Sequence, residues 1–345
     1  MSHLLILGGG IAGSSLAYLA TQTGHAVTLV DAGFESSSSV PSALLNPVRG
    51  QGGQVVERGL EGMRFTWSLL ENLERQGFAV PHARAGVLRP VPDQKTFERW
   101  QGRIPEDLPH RWLEVPDLMG QNVQGQNVQG QNVQGQNVQG QNIQGQNIQG
   151  HWFKVLEVSE GGWLDGNAFT RSLREASGAR VIRGMAEKWT SKSATLEDGT
   201  RLEADGVVWC GGSWGAARAN LTSPHRRGSV LLLEKPLSKI PVSFGIYSAP
   251  SARGGVLGAT YETPTSLWTP AGLPLKSLEW LLNKAAHTFE TLEPEFRGLW
   301  TGSRLGGEIL CGPRADGSFI LSGLGSKGFL LGPLLAQDLL ERMGI

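Results

Sequence analysis

Six residues near the start of the chain, Gly8-Gly9-Gly10-Ile11-Ala12-Gly13, carry its strongest chemical signal. Glycines at that spacing leave a backbone bare enough for a pyrophosphate to lie against it. Gly8 permits a tight turn, Gly10 removes the Cβ that would meet the phosphates, and Gly13 lets a following helix lie close on a sheet. Ile11 and Ala12 complete the loop, and the N-terminus of the helix that follows presents free N–H groups and a positive dipole end to the same phosphates. Asp31, with Ala32 after it, is spaced to accept from both hydroxyls of a ribose. An acid there repels a 2′-phosphate, so the pattern speaks for a dinucleotide and against NADP. A second glycine loop, Gly323-Leu324-Gly325-Ser326-Lys327-Gly328, repeats the design: strand, loop, helix start, with Lys327 adding charge toward an anion. Gly211-Gly212, between the apolar run 206–210 and Ser213-Trp214, suits a close approach to a cofactor and a simple strand-to-helix turn equally well.

The elements around these loops fit the reading. Leu4-Leu5-Ile6-Leu7 is a buried strand, residues 14–23 a helix stopped by Gly24, and Val27-Thr28-Leu29-Val30 a second strand. Residues 34–47, rich in serine and small side chains, are read as a loop that either lies on a ligand or stays a flexible surface segment. A long amphipathic helix is expected over 55–76, a strand at 86–89 and a short helix at 94–101. Strands are expected at 153–158, 181–182, 194–196, 201–202 and 206–210, with a helix at 167–176 and a hairpin signal at Asp198-Gly199. Residues 229–233, 244–249 and 256–260 read as an antiparallel sheet, residues 278–292 as a helix, and residues 319–322 and 329–343 as the last strand and helix.

Residues 121–150 are six tandem copies of a five-residue unit, four Gln-Asn-Val-Gln-Gly and two Gln-Asn-Ile-Gln-Gly. A period of five matches neither helix nor strand, and one apolar residue in five cannot build a core alone. A disordered or loosely ordered insert is the favoured reading, beside a β-solenoid stub and a self-associating polar zipper. The unit offers no nucleophile, base or charge.

The 345 residues suffice for about two domains. Lysine plus arginine and aspartate plus glutamate each number 31, which argues against a general attraction to nucleic acid or anionic membrane. No apolar run approaches ~20 residues, so no membrane span is expected. No leader pattern opens the sequence, and the only cysteines, Cys210 and Cys311, are far apart, so a cytoplasmic protein without a disulfide framework is the default. The seven histidines lack metal-ligand spacing, and no metal site is expected.

Further motifs are Gly162-Trp163-Leu164, Arg227-Gly228, Gly258-Ala259-Thr260 and Trp300-x-Gly302-x-Arg304. With the two terminal glycine loops, in this order and at these distances, they resemble the FAD-dependent amine and amino-acid oxidoreductases of the D-amino-acid oxidase superfamily, glycine oxidase among them. The final loop is more similar to the FAD-containing domain of bifunctional enzymes that modify the tRNA wobble uridine. The resemblance implies an α/β fold: a Rossmann-type FAD-binding domain (1–77, 155–223 and 300–345) with an interleaved α+β substrate domain on an antiparallel sheet (78–154 and 224–299, the repeat inserted at 121–150).

It also implies a site. Ser37, Ser38, Ser42, Ala43 and Leu44 fall where the family's second flavin-contacting loop lies, which turns the 34–47 loop toward function, and Gly212, Gly323, Gly325, Ser326, Lys327 and Gly328 complete the cofactor set. Arg304 stands where family members grip a substrate carboxylate, Tyr247 matches a substrate-facing tyrosine, and Lys327 would stabilise the reduced flavin. A neutral amine would give a hydride to flavin N5, leaving an imine for water to hydrolyse. Ser326 replaces a second substrate arginine of glycine oxidase, which puts glycine specificity in doubt. No cysteine or histidine is placed for a covalent link, so FAD is expected to be non-covalent. The implied function is oxidation of a C–N bond in a small amine or amino acid. The alternative is removal of a carboxymethyl group from a tRNA wobble uridine, against which stand the neutral charge and the lack of a fused methyltransferase domain. A third is a flavoprotein scaffold that self-associates through the repeat.

Overall fold

The computed structural model describes residues 2–34, 36–119 and 145–345. Among them run the helices α1 (Ile11–Gln22), α2 (Gly59–Arg75), α3 (Gln94–Gln101), α4 (Val115–Met119), α5 (Gly166–Ala176), α6 (Gly212–Gly215), α7 (Leu275–Thr288) and α8 (Gly328–Met343), around five sheets.

The first organising sheet has six strands, in the order Arg180–Arg183, Ala26–Asp31, His3–Leu7, Gly206–Trp209, Phe319–Ser322, Leu310–Pro313. All pairings are parallel except the last. The opening apolar run is buried because both faces of this sheet are covered. Leu4 and Ile6 face the cluster built by α1, α5 and α8, while Leu5 and Leu7 face the one built with Ala194 and Leu196 of a three-stranded meander. Two loops aimed at one ligand start from this sheet, since His3–Leu7 runs into α1 and Phe319–Ser322 runs through Gly323 into α8.

The second organising sheet has eight strands: Phe296–Leu305, His225–Leu233, Gly254–Gly258, Ile246–Ser251, Val242–Phe244, Val87–Val91, Lys154–Val158, His110–Leu113. It is antiparallel apart from the contact between Val242 and Leu88. Its register sorts side chains by face. Tyr247 stands opposite Gly258, Gly258 opposite Val230, and Val230 opposite Trp300, a row across four strands. Gly302 and Arg304 share the Trp300 face by the two-residue period. Leu231, Leu233 and Leu257, on the other face, bury against Leu281, Ala285 and Phe289 of or just after α7.

Lys154–Val158 and Phe296–Leu305 both hydrogen-bond within the eight-stranded sheet. Several expectations need correction. The stretch 244–249 is not one strand: the chain reverses at Gly245 between Val242–Phe244 and Ile246–Ser251. Helix α2 starts at Gly59 rather than 55, because Gln54–Val55 closes a hairpin on Val48–Arg49. The reading of the repeat lies outside the described residues for 121–144. Its sixth copy, residues 146–150, is not a loose insert. Ile148 is fully buried beside Leu118 and Phe289. Ser238 Oγ donates to Gln146 Oε1 at 2.7 Å, and Asn147 exchanges two 2.9 Å hydrogen bonds with the backbone of Thr291. An amide side chain that finds both a donor and an acceptor holds its segment in place. Among the described residues, no helix is long and apolar enough to cross a membrane, and no group of three or more histidine, cysteine or acidic side chains could hold a metal ion.

Candidate active site

The two terminal glycine loops meet. Gly8, Gly10, Ile11 and Ala12 line one side of a cleft and Gly323, Gly325 and Gly328 another, around about 1260 Å³ of empty space including its open mouth. The N-cap residues of both helices, Gly10 for α1 and Lys327 for α8, contribute no side-chain cap, so N–H groups of the first turns not otherwise engaged remain for an anion. Ile11 N–H donates to Ser38 Oγ at 2.9 Å, which ties the serine turn to the first loop. Gly13 lines nothing. A Cβ on it would fall 1.9 Å from the Gly8 carbonyl oxygen, so its hydrogen is what lets α1 lie on the loop.

Asp31, Ala32, Ser37, Ser38 and Gly212 also line this cleft. Asp31 is already engaged: Oδ1 accepts from Gly33 N–H and Oδ2 from Arg174 Nη1, both at 2.9 Å. Each oxygen keeps a second lone pair for a further donor. Along the wall Phe34 stacks on Trp214 at 4.4 Å between centroids, and Trp214 on Trp268 at 3.9 Å. Cys210 lines the cleft too, but burial pushes its thiol well up, away from a reactive thiolate.

A second cavity adjoins the first and shares Ile11, Ser37, Ser38, Gly325 and Gly328 with it; its empty space is about 1450 Å³, open mouth included. Here lie Ser42, Ala43, Leu44 and Ser326, all expected on the cofactor, together with Tyr247 and Arg304. Lys327 is half-buried and lines neither cavity. The wall is the sheet face described above. Trp300 Nε1 donates to Ser39 Oγ at 3.1 Å and Tyr247 OH to the Ser42 carbonyl at 3.1 Å, so the sheet is bound to the 34–47 loop at two points. Burial pushes the Tyr247 phenol up, so it stays protonated.

Charge in this cavity has one sign. Arg49, Arg89 and Arg304 line it, and among the described residues no aspartate, glutamate, histidine, lysine or cysteine does. Arg89 donates to the carbonyls of Val48 and Gly50, and burial lowers its guanidinium to about 9. Arg49 Nη1 donates to the Ser326 carbonyl at 2.9 Å, and Nη2 to Ser326 Oγ. Arg304 lies over the Tyr261 ring at 5.1 Å, and its Nη2 is buried with no hydrogen-bond partner. Gly228 makes that position possible, for a Cβ there would stand 2.5 Å from Arg304 Nη2. The sequence flagged Gly228 within a motif but missed Arg49, Arg89 and Tyr261, which sit in stretches with no spacing signal. A cationic cavity beside the glycine-lined cleft can bind and orient an anion, but among the described residues it offers no carboxylate or imidazole for general-base work.

Known proteins resemble this chain along nearly its whole length. Residues 3–342 match the family described as FAD dependent oxidoreductase (DAO). A relative in Caulobacter sp., the tRNA 5-methylaminomethyl-2-thiouridine biosynthesis bifunctional protein, is 27% identical over 358 aligned positions; the alignment covers 99% of this chain and 54% of that protein, so the chain spans about half its length. Among solved structures, iminodiacetate oxidase from Chelativorans sp. superposes with a TM-score of 0.78 at 18% identity, covering 99% of this chain and 95% of the other. Glycine oxidase from Geobacillus kaustophilus superposes equally well, TM-score 0.78 at 20% identity with the same coverage. These likenesses match the fold of a parallel sheet joined to a mostly antiparallel one. The chain belongs to the DAO family of FAD-dependent oxidoreductases.

Proposed function

We propose that this oxidoreductase breaks a C–H bond next to the nitrogen of a small amine that carries a carboxylate, with FAD held non-covalently. The observation that carries the reading is Arg304: a buried guanidinium nitrogen without a partner, in a cavity that among the described residues has no acid in its lining and adjoins the first cleft. A carboxylate satisfies that nitrogen, and the planar guanidinium can hold it by two hydrogen bonds. Residues of the first cleft fit FAD. The starts of α1 and α8 suit the pyrophosphate and Asp31 suits a ribose, while Ser37 and Ser38, shared by both cavities, would follow the cofactor from one to the other. When bound, FAD supplies the two-electron acceptor.

The chain's own contribution is orientation and proton control. Three guanidinium groups around the cavity lower the pKa of a bound amine, so the reactive neutral form is favoured without a general base. Tyr247 keeps its proton and braces the Ser42 wall. Lys327 enters through its charge at the α8 start, and Lys327→Met should lower the flavin midpoint potential. The test is anaerobic bleaching of the purified yellow protein by glycine, sarcosine, D-amino acids, proline and modified tRNA. Bleaching by a carboxylate-bearing amine supports the reading; bleaching by NADH alone would overturn it. The Caulobacter relative favours a second reading, a carboxymethylated amine presented on a tRNA wobble uridine, since its carboxylate would meet the same arginine. Bleaching confined to the modified tRNA would select that reading.

A further inference from the structure

Arg304 does not stand alone over its ligand space. Arg49, from the hairpin Val48–Arg49 with Gln54–Val55, reaches the same cavity from the other sheet system. Burial lowers the Arg49 guanidinium most; Tyr261 pushes it the other way, and the two arginines are close enough that Arg304's charge adds a smaller lowering, while Arg304 lies over the Tyr261 ring. Two like charges face one space, and among the described residues neither has a carboxylate partner. Arg49 uses Nη1 and Nη2 on one residue, Ser326, which is exposed. A group held only by an exposed serine is free to turn to a stronger acceptor. A monoanion between the two arginines would leave one charge uncompensated, whereas a dianion cancels both.

We propose that the substrate is a dianionic amine, a molecule with two carboxylates on one small amine skeleton, with Arg304 and Arg49 each holding one. This rests on the function proposed above. It adds that Arg49 sets specificity and that simple amino acids are the poorer substrates. It also gives a physical account of Ser326: a serine at that place anchors Arg49 at the cavity edge.

Two measurements on the FAD-loaded protein separate this claim from the one it rests on. The first is thermal unfolding at constant ionic strength with acetate, malonate or succinate, none of which can be oxidised. The dicarboxylates should raise the midpoint and acetate should not, and Arg49→Gln should abolish the difference. The second is kcat/KM for iminodiacetate and D-aspartate against glycine and sarcosine. The dicarboxylates should be preferred, and Arg49→Gln should shrink that preference by about tenfold or more, the usual worth of a hydrogen bond to a charged group. If no amine bleaches the flavin yet dicarboxylates still stabilise the protein through Arg49, the catalytic reading fails and the dianion site stands. Equal stabilisation by acetate and succinate overturns the proposal. So does an Arg49→Gln variant that shifts the flavin midpoint potential while leaving the dicarboxylate preference intact, because Arg49 would then serve the flavin charge and not the substrate.

Discussion

The two halves of the site are made of different material. The proposed cofactor cleft is built mostly from backbone: bare glycines, two helix starts and one aspartate at a strand end, with an aromatic wall along one side. The proposed substrate cavity is built from side chains: three arginines, two tyrosines and a tryptophan, of which Tyr247, Trp300 and Arg304 are set by strand register. Backbone sites tolerate little, because the chain itself must pass through them. Side-chain sites tolerate folding-neutral change and give up function instead. The contrast predicts that substitutions in the first half will cost stability and those in the second will cost turnover.

Gly13→Ala puts that contrast to its harshest test. The new methyl group would stand 1.9 Å from the Gly8 carbonyl oxygen, a backbone atom that cannot swing away. The variant should lose about 3 kcal/mol or more, as overpacked backbone contacts do, and show it in the urea midpoint before any cofactor is added. A midpoint like that of the parent would mean that α1 can lift from the loop, and the backbone account of this half would fall.

On the other side, Arg304→Gln should fold normally and take up FAD. Removing one partner of a buried charge pair costs about 2–5 kcal/mol, so kcat/KM for a carboxylate-bearing amine should fall at least about thirtyfold, mostly through KM. Lower flavin content in this variant would show that the halves are not separable.

How much of this was legible follows the same division. The first loop, Asp31 and the last loop are contiguous in sequence, so local spacing revealed them, and Gln94–Gln101 came out with its ends as expected because Asp93 caps it through Thr96 N–H. The substrate cavity joins residues 49, 89, 228, 247, 261 and 304, which no periodicity relates. Arg304 and Tyr247 were reached only by family resemblance. Arg49 and Arg89 were missed because an arginine in a loop or a strand looks like surface until the fold buries it. The sixth repeat copy was misjudged for a like reason: Ile148 is one apolar residue in five, and its neighbours in the core, such as Leu118, Trp152 and Phe289, come from elsewhere.

A milder probe blurs the division on purpose. Trp268 lies in the connection from the antiparallel sheet to α7, yet stacks on Trp214 at the cofactor cleft. Thr265 is pinned to His225 by a two-way backbone bridge, and Arg227 Nη1 donates to the Pro270 carbonyl at 2.7 Å, so the loop is held over the cleft from both ends. Trp268→Ala should raise the FAD dissociation constant by about tenfold, in keeping with ~1–3 kcal/mol for one aromatic stacking contact, with little change in apoprotein stability. An unchanged constant, read from flavin fluorescence on dilution, would confine cofactor binding to the parallel-sheet half.

The smallest effect sits on the seam itself. Ser213 of α6 bonds His225 Nδ1 at 2.6 Å and Ser303 Oγ at 2.8 Å, joining the cofactor cleft to two strands of the substrate sheet. Burial holds the His225 imidazole below its ordinary value of 6.5, so the folded protein keeps it neutral where the unfolded chain would take a proton. Stability from this group is therefore complete above 6.5 and declines as pH falls from there toward the lower folded value. His151 is also held down, by burial and then by His287 beside it, and titrates in the same direction. In His225→Asn, which keeps a polar atom facing Ser213, the fall in unfolding midpoint between pH 7 and 5 should thus become shallower without vanishing. A slope identical to the parent's would mean that His225 is free to protonate in the fold, and that the seam opens to water more readily than its short hydrogen bonds imply.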